Sequence, residues 1–258
     1  MKQIESRDNP FYKNLRKWSD AQGRAGAPVL LEGAHVCEAW LMRHGLPEYC
    51  LFDQDRLTDP RLAHLVAAVP QSLVRLMPAR LLKALGEVPS DQGVRFVVQP
   101  PTPALPDALR DAAVLLDRVQ DPGNVGTILR ACAASGVTRV LLSPASAAAW
   151  SSKVVRSAQG AHFALDIHEH VDLAQAVHNA QIPVLVTTLE EASDLYQTSL
   201  PAPAAWIFGH EGQGVSPILQ TMATQRIRID HERSAVESLN VAMAATLCLF
   251  EQRRQHRY

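Results

Sequence analysis

The amino-acid sequence predicts an α/β protein in two parts, a larger domain on a parallel sheet and a smaller α/β domain ahead of it. Three observations carry this expectation: strand-length runs apolar on both faces, helical segments between them, and a proline-rich break in the chain. The 258 residues, 47% apolar and 20% charged, suffice for two modest cores. The break is QPPTPALPD, residues 99–107, which can neither continue a helix nor donate hydrogen bonds to a central sheet. It is expected to link a domain at 1–98 to one at 108–258.

Ahead of the break, APVLLEGAHVCEAWLMRHGL reads as a strand, a glycine turn and an amphipathic helix. PEYCLFD, QSLVRLM and QGVRFVVQ read as strands, and DPRLAHLVAAV and PARLLKALG as the helices between them. Such alternation gives a small three-layer α/β domain. Residues 2–17 carry Lys2, Arg7, Lys13, Arg16 and Lys17 with Phe11 and Tyr12 among them and Trp18 following. Two readings stay open for this segment. It is an RNA-contacting arm in which Lys13 and Arg16 meet phosphate, or an amphipathic helix with packed aromatics and solvated charges.

Beyond the break, AAVLLDRV, RVLLSP, FALDIHE, PVLVTTL, AAWIFG and QRIRID fit buried strands. Ligands in parallel sheets bind beyond the carboxyl ends of the strands, which puts three loops at one edge: Asp121 to Thr127, Gly209 to Ser216 and Asp230 to Glu237. In DPGNVGTILRACAASG, Pro122 and Gly123 make a tight turn and Gly136 ends the following helix. Taken alone, Asn124 reads there as a helix cap and Arg130 as a surface residue. In WIFGHEGQGVS, dense glycine around Glu211 means that the backbone itself lines a site. His210 invites a catalytic reading, but a lone loop histidine carries no assignment. In ESLNVAMAATLCLFE, Ser238 is the expected helix cap and Asn240 falls in the first turn, where a buried amide needs partners. Leu239 to Phe250 is apolar almost all round and predicts a buried helix.

Composition closes off other classes. A net charge of −1 restricts any nucleic-acid contact to local patches. Cys37, Cys50, Cys132 and Cys248 form no CxxC pair, which argues against a zinc cluster or disulfide scaffold and fits a reducing, cytoplasmic compartment. No targeting segment is evident, and no run approaches the roughly eighteen apolar residues of a membrane helix. His168, Glu169 and His170 lack a third ligand at suitable spacing, so no metal is expected. The strand–turn–helix around Asp121 matches neither GxGxxG nor a P-loop, which excludes a nicotinamide oxidoreductase.

DPGNVGTILRACAASG, IFGHEGQGVS and ESLNVAMAATLCLFE, in this order and spacing, resemble the three motifs of the SpoU family of SPOUT RNA methyltransferases. The resemblance covers residues 112–254, and LLEGAHVCEAWL with LGEVPSDQGVRFVV is similar to the family's N-terminal substrate-binding domain, itself similar to certain ribosomal proteins. It implies a homodimer with a C-terminal trefoil knot that transfers a methyl group from S-adenosylmethionine to a ribose 2′-hydroxyl of structured RNA. Ribosomal RNA is favoured, with transfer RNA the alternative. Carried over by position, Asn124, Arg130, Glu211, Ser238 and Asn240 form the catalytic cluster. Thr187, Thr188, Leu189, Gly209, Glu211, Gly212, Ile229, Ser238 and Leu239 surround the cofactor. Lys153, Arg156 and Ser157, in a stretch resembling one beside the first motif, are expected to meet RNA. One departure concerns the cofactor loop, where the family commonly has Pro after the residue matching Ile229 and this chain has Asp230. An RNA-binding protein with a decayed catalytic domain is the alternative of a different class.

Overall fold

Local sequence signals set most element boundaries in the computed structural model, which describes residues 1–86, 92–232 and 234–256. Residues 87–91 of the LGEVPSDQGVRFVV stretch and residue 233 of the Asp230 to Glu237 loop lie outside the described residues. The chain forms two compact units, 1–101 with 150–163, and 102–149 with 164–258.

The first unit contains β1 (Lys2–Gln3), α1 (Pro10–Ala21), β2 (Val29–Glu32), α2 (Ala34–His44), β3 (Tyr49–Asp53), α3 (Pro60–Ala67), β4 (Val74–Met77), α4 (Ala79–Lys83) and β5 (Val94–Val98). Its sheet runs β1-β4-β3-β5-β2, with β5 antiparallel to both neighbours. The sequence did not distinguish that direction, because a strand buried on both faces reads the same either way. Leu30, Leu51 and Val97 face α1 and α4 in one core layer. In α1, capped by Asn9 and led by Pro10, Tyr12 and Leu15 are buried. Phe11 packs edge-on against Tyr49 at 4.8 Å, and Trp18 lies parallel to the same ring. The aromatics of the N-terminal segment are therefore committed to packing. Lys13 pairs with Asp8 at 3.5 Å, and Arg16 reaches Asp20 and the Ala84 carbonyl.

The second unit contains β6 (Ala113–Asp117), α5 (Pro122–Ser135) and β7 (Arg139–Leu142). After α6 (Ser152–Ala158), which belongs to the first unit, come β8 (Asp166–His168), α7 (Leu173–His178), β9 (Val184–Thr187), β10 (Ser193–Asp194), β11 (Ala205–Gly209), α8 (Pro217–Met222), β12 (Gln225–Arg228) and α9 (Val241–His256). All its strands are parallel, in the order β10-β12-β9-β11-β6-β7-β8. The chain leaves β6 toward β7 on one side, and β11 later takes the other side. Gly209 and Asp117 stand in register at that switch point. Leu115, Leu141, Val186 and Ile207 pack toward α7 and α8. On the opposite face Trp206 donates to Gln252 of α9 at 2.9 Å.

Two expectations need correction. The second domain was expected unbroken from 108 to 258, but Trp150–Phe163 groups with the first unit. Val154 and Val155 of α6 are buried, and Phe163 meets the Trp40 ring edge-on at 5.3 Å. Periodicity cannot report which core a short apolar helix joins. The terminal helix was expected to be buried all round, yet Met243 (62% exposed), Leu247 (38%) and Phe250 (42%) form an outward stripe. Its other side packs on α5, where Arg253 also donates to the Ser135 carbonyl at 2.6 Å.

Arg95 on β5 is 1% exposed and stands opposite Glu32 of β2, which accepts from its Nη2 at 2.9 Å. Its Nε and Nη1 are buried without a hydrogen-bond partner among the described residues. Replacing Glu32 by Ala strands this cation and should cost about 3–5 kcal/mol, whereas Arg95→Met should be roughly neutral. Urea denaturation of the two variants checks this, and equal losses would refute it.

Candidate active site

Each of the three carboxyl-edge loops has a local reason for its shape. Asp121 caps α5, its Oδ1 accepting from the Asn124 N–H at 2.9 Å, and Pro122 occupies the first helical position. The expected cap was Asn124. With Asp121 in that role, the Asn124 amide is free to reach across the sheet edge. At β11 the chain turns back on itself so tightly that a Cβ on Gly209 would lie 2.3 Å from the Gly214 carbonyl carbon and the Val215 nitrogen. Only glycine fits there. His210 stabilises this turn, its Nδ1 accepting from the N–H groups of Gly212 (3.0 Å) and Gln213 (3.2 Å).

The third loop corrects the other cap. Asn240, not Ser238, caps α9: its Oδ1 accepts from Ala242 N (2.9 Å) and Met243 N (3.2 Å). Both residue types cap well, and the helix begins two residues later than expected. His231 closes the loop, with Nδ1 2.9 Å from the Ile229 carbonyl and Nε2 3.4 Å from that of Glu237.

A continuous hydrogen-bond chain joins the three loops. Glu211 accepts from Gln120 N (3.2 Å), Asp121 N (3.1 Å) and Asn124 Nδ2 (2.9 Å). Asn124 Oδ1 accepts in turn from Asn240 Nδ2 at 2.9 Å. Burial raises the pKa of Glu211, but the Asn124 amide and the backbone N–H groups of Glu211, Asp121 and Gln120 outweigh it and hold the carboxyl below the usual glutamate range. Glu211 is thus an ionised acceptor whose lone pairs are largely taken.

Beside this chain lies a cleft of about 370 Å³. Thr187, Thr188, Leu189, Gly209, Glu211, Gly212, Ile229, Ser238 and Leu239 all line it, so the structure brings together every residue that the sequence assigned to the cofactor. Reasoning from sequence missed Val215, Ile227 and Glu237 in its wall. It also missed Asp117 and Arg118. Buried Asp117 accepts from Ser216 N at 2.7 Å, and Arg118, in the left-handed region at φ 59°, donates to Asp117 and to Gln213 (2.9 Å). A charged pair ending the apolar run AVLLDR was the available signal.

Arg130 is not brought into the cluster. It lies about 120° around α5 from Asn124 by helical spacing, is exposed, and makes no hydrogen bond or ion pair among the described residues. Lys153 and Arg156 share one exposed side of α6 in the first unit, and Ser157 is half-buried beside them. The His168 to His170 segment is structural: the Glu169 carboxylate accepts from Ala149 N at 2.7 Å. Burial raises the thiol pKa of all four cysteines, Cys50 to about 12, so none is poised as a nucleophile.

Asn124→Asp replaces a donor to Glu211 by a like charge and should cost roughly 1–3 kcal/mol of local stability, more than Asn124→Ala. Hydrogen exchange at the Gln120 and Asp121 amides reads this directly. Exchange no faster in the Asp variant than in the Ala variant would refute it.

The model of the SpoU rRNA Methylase family matches residues 111–250, more than half of the chain. The chain is 30% identical over 265 residues to the 23S rRNA (guanosine(2553)-2′-O)-methyltransferase RlmP of Bacillus subtilis, covering 98% of this chain and 100% of that one. It is 31% identical over 257 residues to an uncharacterized tRNA/rRNA methyltransferase of Synechocystis, covering 98% and 93%. The crystal structure of the SpoU methyltransferase AviRb from Streptomyces viridochromogenes in complex with AdoMet superposes with a TM-score of 0.80 at 27% identity, over 96% of this chain and 98% of that one. With its three motifs joined by one hydrogen-bond chain beside the cleft, the chain belongs to the SpoU rRNA methylase family.

Proposed function

We propose that the protein transfers a methyl group from S-adenosylmethionine to a ribose 2′-hydroxyl of ribosomal RNA. The observation that carries this reading is the Glu211–Asn124–Asn240 chain standing beside a cleft that gathers every expected cofactor residue. The cleft suits the cofactor: Leu189, Ile227, Ile229 and Leu239 offer apolar contact for an adenine, and the turn at Gly209 leaves room for close approach to backbone. When bound, S-adenosylmethionine supplies a methyl group activated by a sulfonium.

In-line displacement requires alignment of the attacking hydroxyl, and the fixed amides of Asn124 and Asn240 can orient it. The hydroxyl must also lose its proton. Glu211 is a poor acceptor because its oxygens already bind several donors. Arg130, whose guanidinium keeps its proton, holds the neighbouring phosphate of the RNA, so the proton leaves to phosphate oxygen or water. Ser238, which lines the cleft, is assigned to the polar cluster on that position alone. The intact chain of polar residues argues against a decayed, purely RNA-binding protein. Absence of S-adenosylmethionine binding in calorimetry would favour that alternative.

The homodimer and the knot belong to the same reading. Met243, Leu247 and Phe250 offer an apolar stripe that a second copy would cover. Because β12 lies between β9 and β10 in an all-parallel sheet, the earlier β9–β10 connection must cross its carboxyl end. A terminal segment passing beneath that connection would make the trefoil knot of this reading, despite the general rarity of knots. The cytoplasm, where ribosomal RNA is accessible and thiols stay reduced, is the proposed compartment. Among the described residues, no helix is long and apolar enough to cross a membrane.

Protein-free ribosomal RNA should accept one 2′-O-methyl group per molecule from the labelled cofactor, and methylation mapping in cells lacking the gene should reveal one lost site. Methylation confined to transfer RNA would overturn the substrate. Since the Glu211 pKa is lowered on folding, its stabilisation is present above the unfolded glutamate value and lost only as pH falls through the lower folded one. Glu211→Gln should therefore cut turnover roughly 10–100-fold while leaving the neutral limb of the pH–rate profile in place. A displaced limb would make Glu211 the proton acceptor. Leu247→Glu with Phe250→Glu should yield monomers in sedimentation, and an unchanged state would exclude this helix face from the dimer.

A further inference from the structure

A second cavity, of about 220 Å³, lies wholly in the first unit between the β2–α2 turn and α6. Its floor is apolar, from buried Leu30, Val36 and Val155. Lys153 and Arg156, three residues apart on α6, stand over the same cavity, and neither side chain makes a hydrogen bond or ion pair with a described residue. The amide side chains of Gln92 and Gln159 form the polar wall. Glu32 also faces the cavity, but its charge is matched by Arg95 at 2.9 Å. Among the described residues, the uncompensated charge is therefore that of the two cations.

The wall is held in place rather than incidental. Gly33 turns the chain at φ 103°, and a Cβ there would lie 2.9 Å from Gln92 Oε1. That oxygen accepts from Ala34 N at 3.2 Å. Gln159 adopts the left-handed region at φ 51° and donates from Nε2 to the Arg156 carbonyl at 2.7 Å. Both amides are fixed where they meet the cavity.

We propose that this cavity takes one unstacked nucleotide of the RNA, its base on the apolar floor and its phosphate between Lys153 and Arg156. The inference rests on the proposed methyltransferase function for the identity of the polymer. A bare anion would need no apolar floor, and an apolar peptide would desolvate two unpaired cations. The volume lies below the roughly 300–1,000 Å³ of pockets for drug-sized ligands, which suits one splayed nucleotide. Recognition of single-stranded bases in RNA uses this combination of stacking surface, edge hydrogen bonds and phosphate contacts.

Two full-length variants separate the cavity from a merely basic surface. In Lys153→Ala with Arg156→Ala, affinity for protein-free ribosomal RNA should fall at least about tenfold, and the slope of log K against log salt should shrink by roughly one to two. In Gln159→Cys capped with a bulky uncharged maleimide, affinity should fall about as far with the slope unchanged, while a methylthio cap has little effect. The native cysteines are buried, so the label is selective. S-adenosylmethionine affinity, measured on each variant, should stay at the wild-type value and verifies folding. As a check on the unaltered protein, 4-thiouridine-substituted ribosomal RNA should crosslink to the peptide carrying Val155 and Gln159. A bulky cap without effect, or crosslinks only outside the cavity, would overturn the proposal. Failure of the wild-type protein to bind S-adenosylmethionine would instead sink the methyltransferase reading, and the RNA arms would still decide the cavity.

Discussion

The Glu211 carboxylate is the point on which the catalytic edge of the sheet depends. It lies on the loop after β11 and accepts from two backbone amides and one side-chain amide of the segment leading from β6 into α5. Hydrogen bonds to a charged group contribute about 1.5–3 kcal/mol each where solvent is limited, and partial exposure reduces that here. Asn124 then passes the constraint on, through Asn240, to the start of α9. Three loops far apart in sequence thus share one register, and a shift in any of them moves the others.

That register also depends on where the sheet changes direction. Parallel strands present their carboxyl ends on one side, and the switch between β6 and β11 leaves a crevice there. Asp117 and Gly209 end the two strands side by side. The first holds Ser216 by its backbone and the second permits the closest backbone crossing in the turn, so the glycine loop is fixed from below by its own strand pair. Arg118 adds a lateral tie to Gln213. The cleft wall is consequently backbone on a rigid frame, the arrangement that holds a ligand with little reorganisation.

How much of this was legible follows from what each signal encodes. Buried strands announce themselves by apolar runs, and the expected runs coincide with β2 to β5 and with β6 to β9, β11 and β12. The two-residue strands β1 and β10 were missed because they are too short to carry a pattern. Helix starts were harder. SLN offers two residues able to cap, and DPGN likewise, so the choice of Asn240 over Ser238 and of Asp121 over Asn124 rests on tertiary contacts. Asn124, relieved of the cap role, becomes a cross-loop ligand, and Asn240 caps α9 through its Oδ1 while its Nδ2 reaches Asn124. The position of Arg130 away from the cluster was foreshadowed by its six-residue spacing from Asn124, which does not bring two side chains to one helix face.

The occupancy of the polar groups bears on how the proton can leave. His210 could act as a base only through a free ring nitrogen, yet its Nδ1 is taken up by two backbone N–H groups that define the glycine turn. Drawing on that nitrogen would loosen the turn beside the cleft. Glu211 faces the same conflict, since protonation would weaken the contacts that align Asn124. A residue that fixes the geometry of a displacement is poorly suited to change charge during it, because the alignment would relax as the bond forms. The site is better organised when its own groups keep their charge states and the proton passes to solvent or to the RNA.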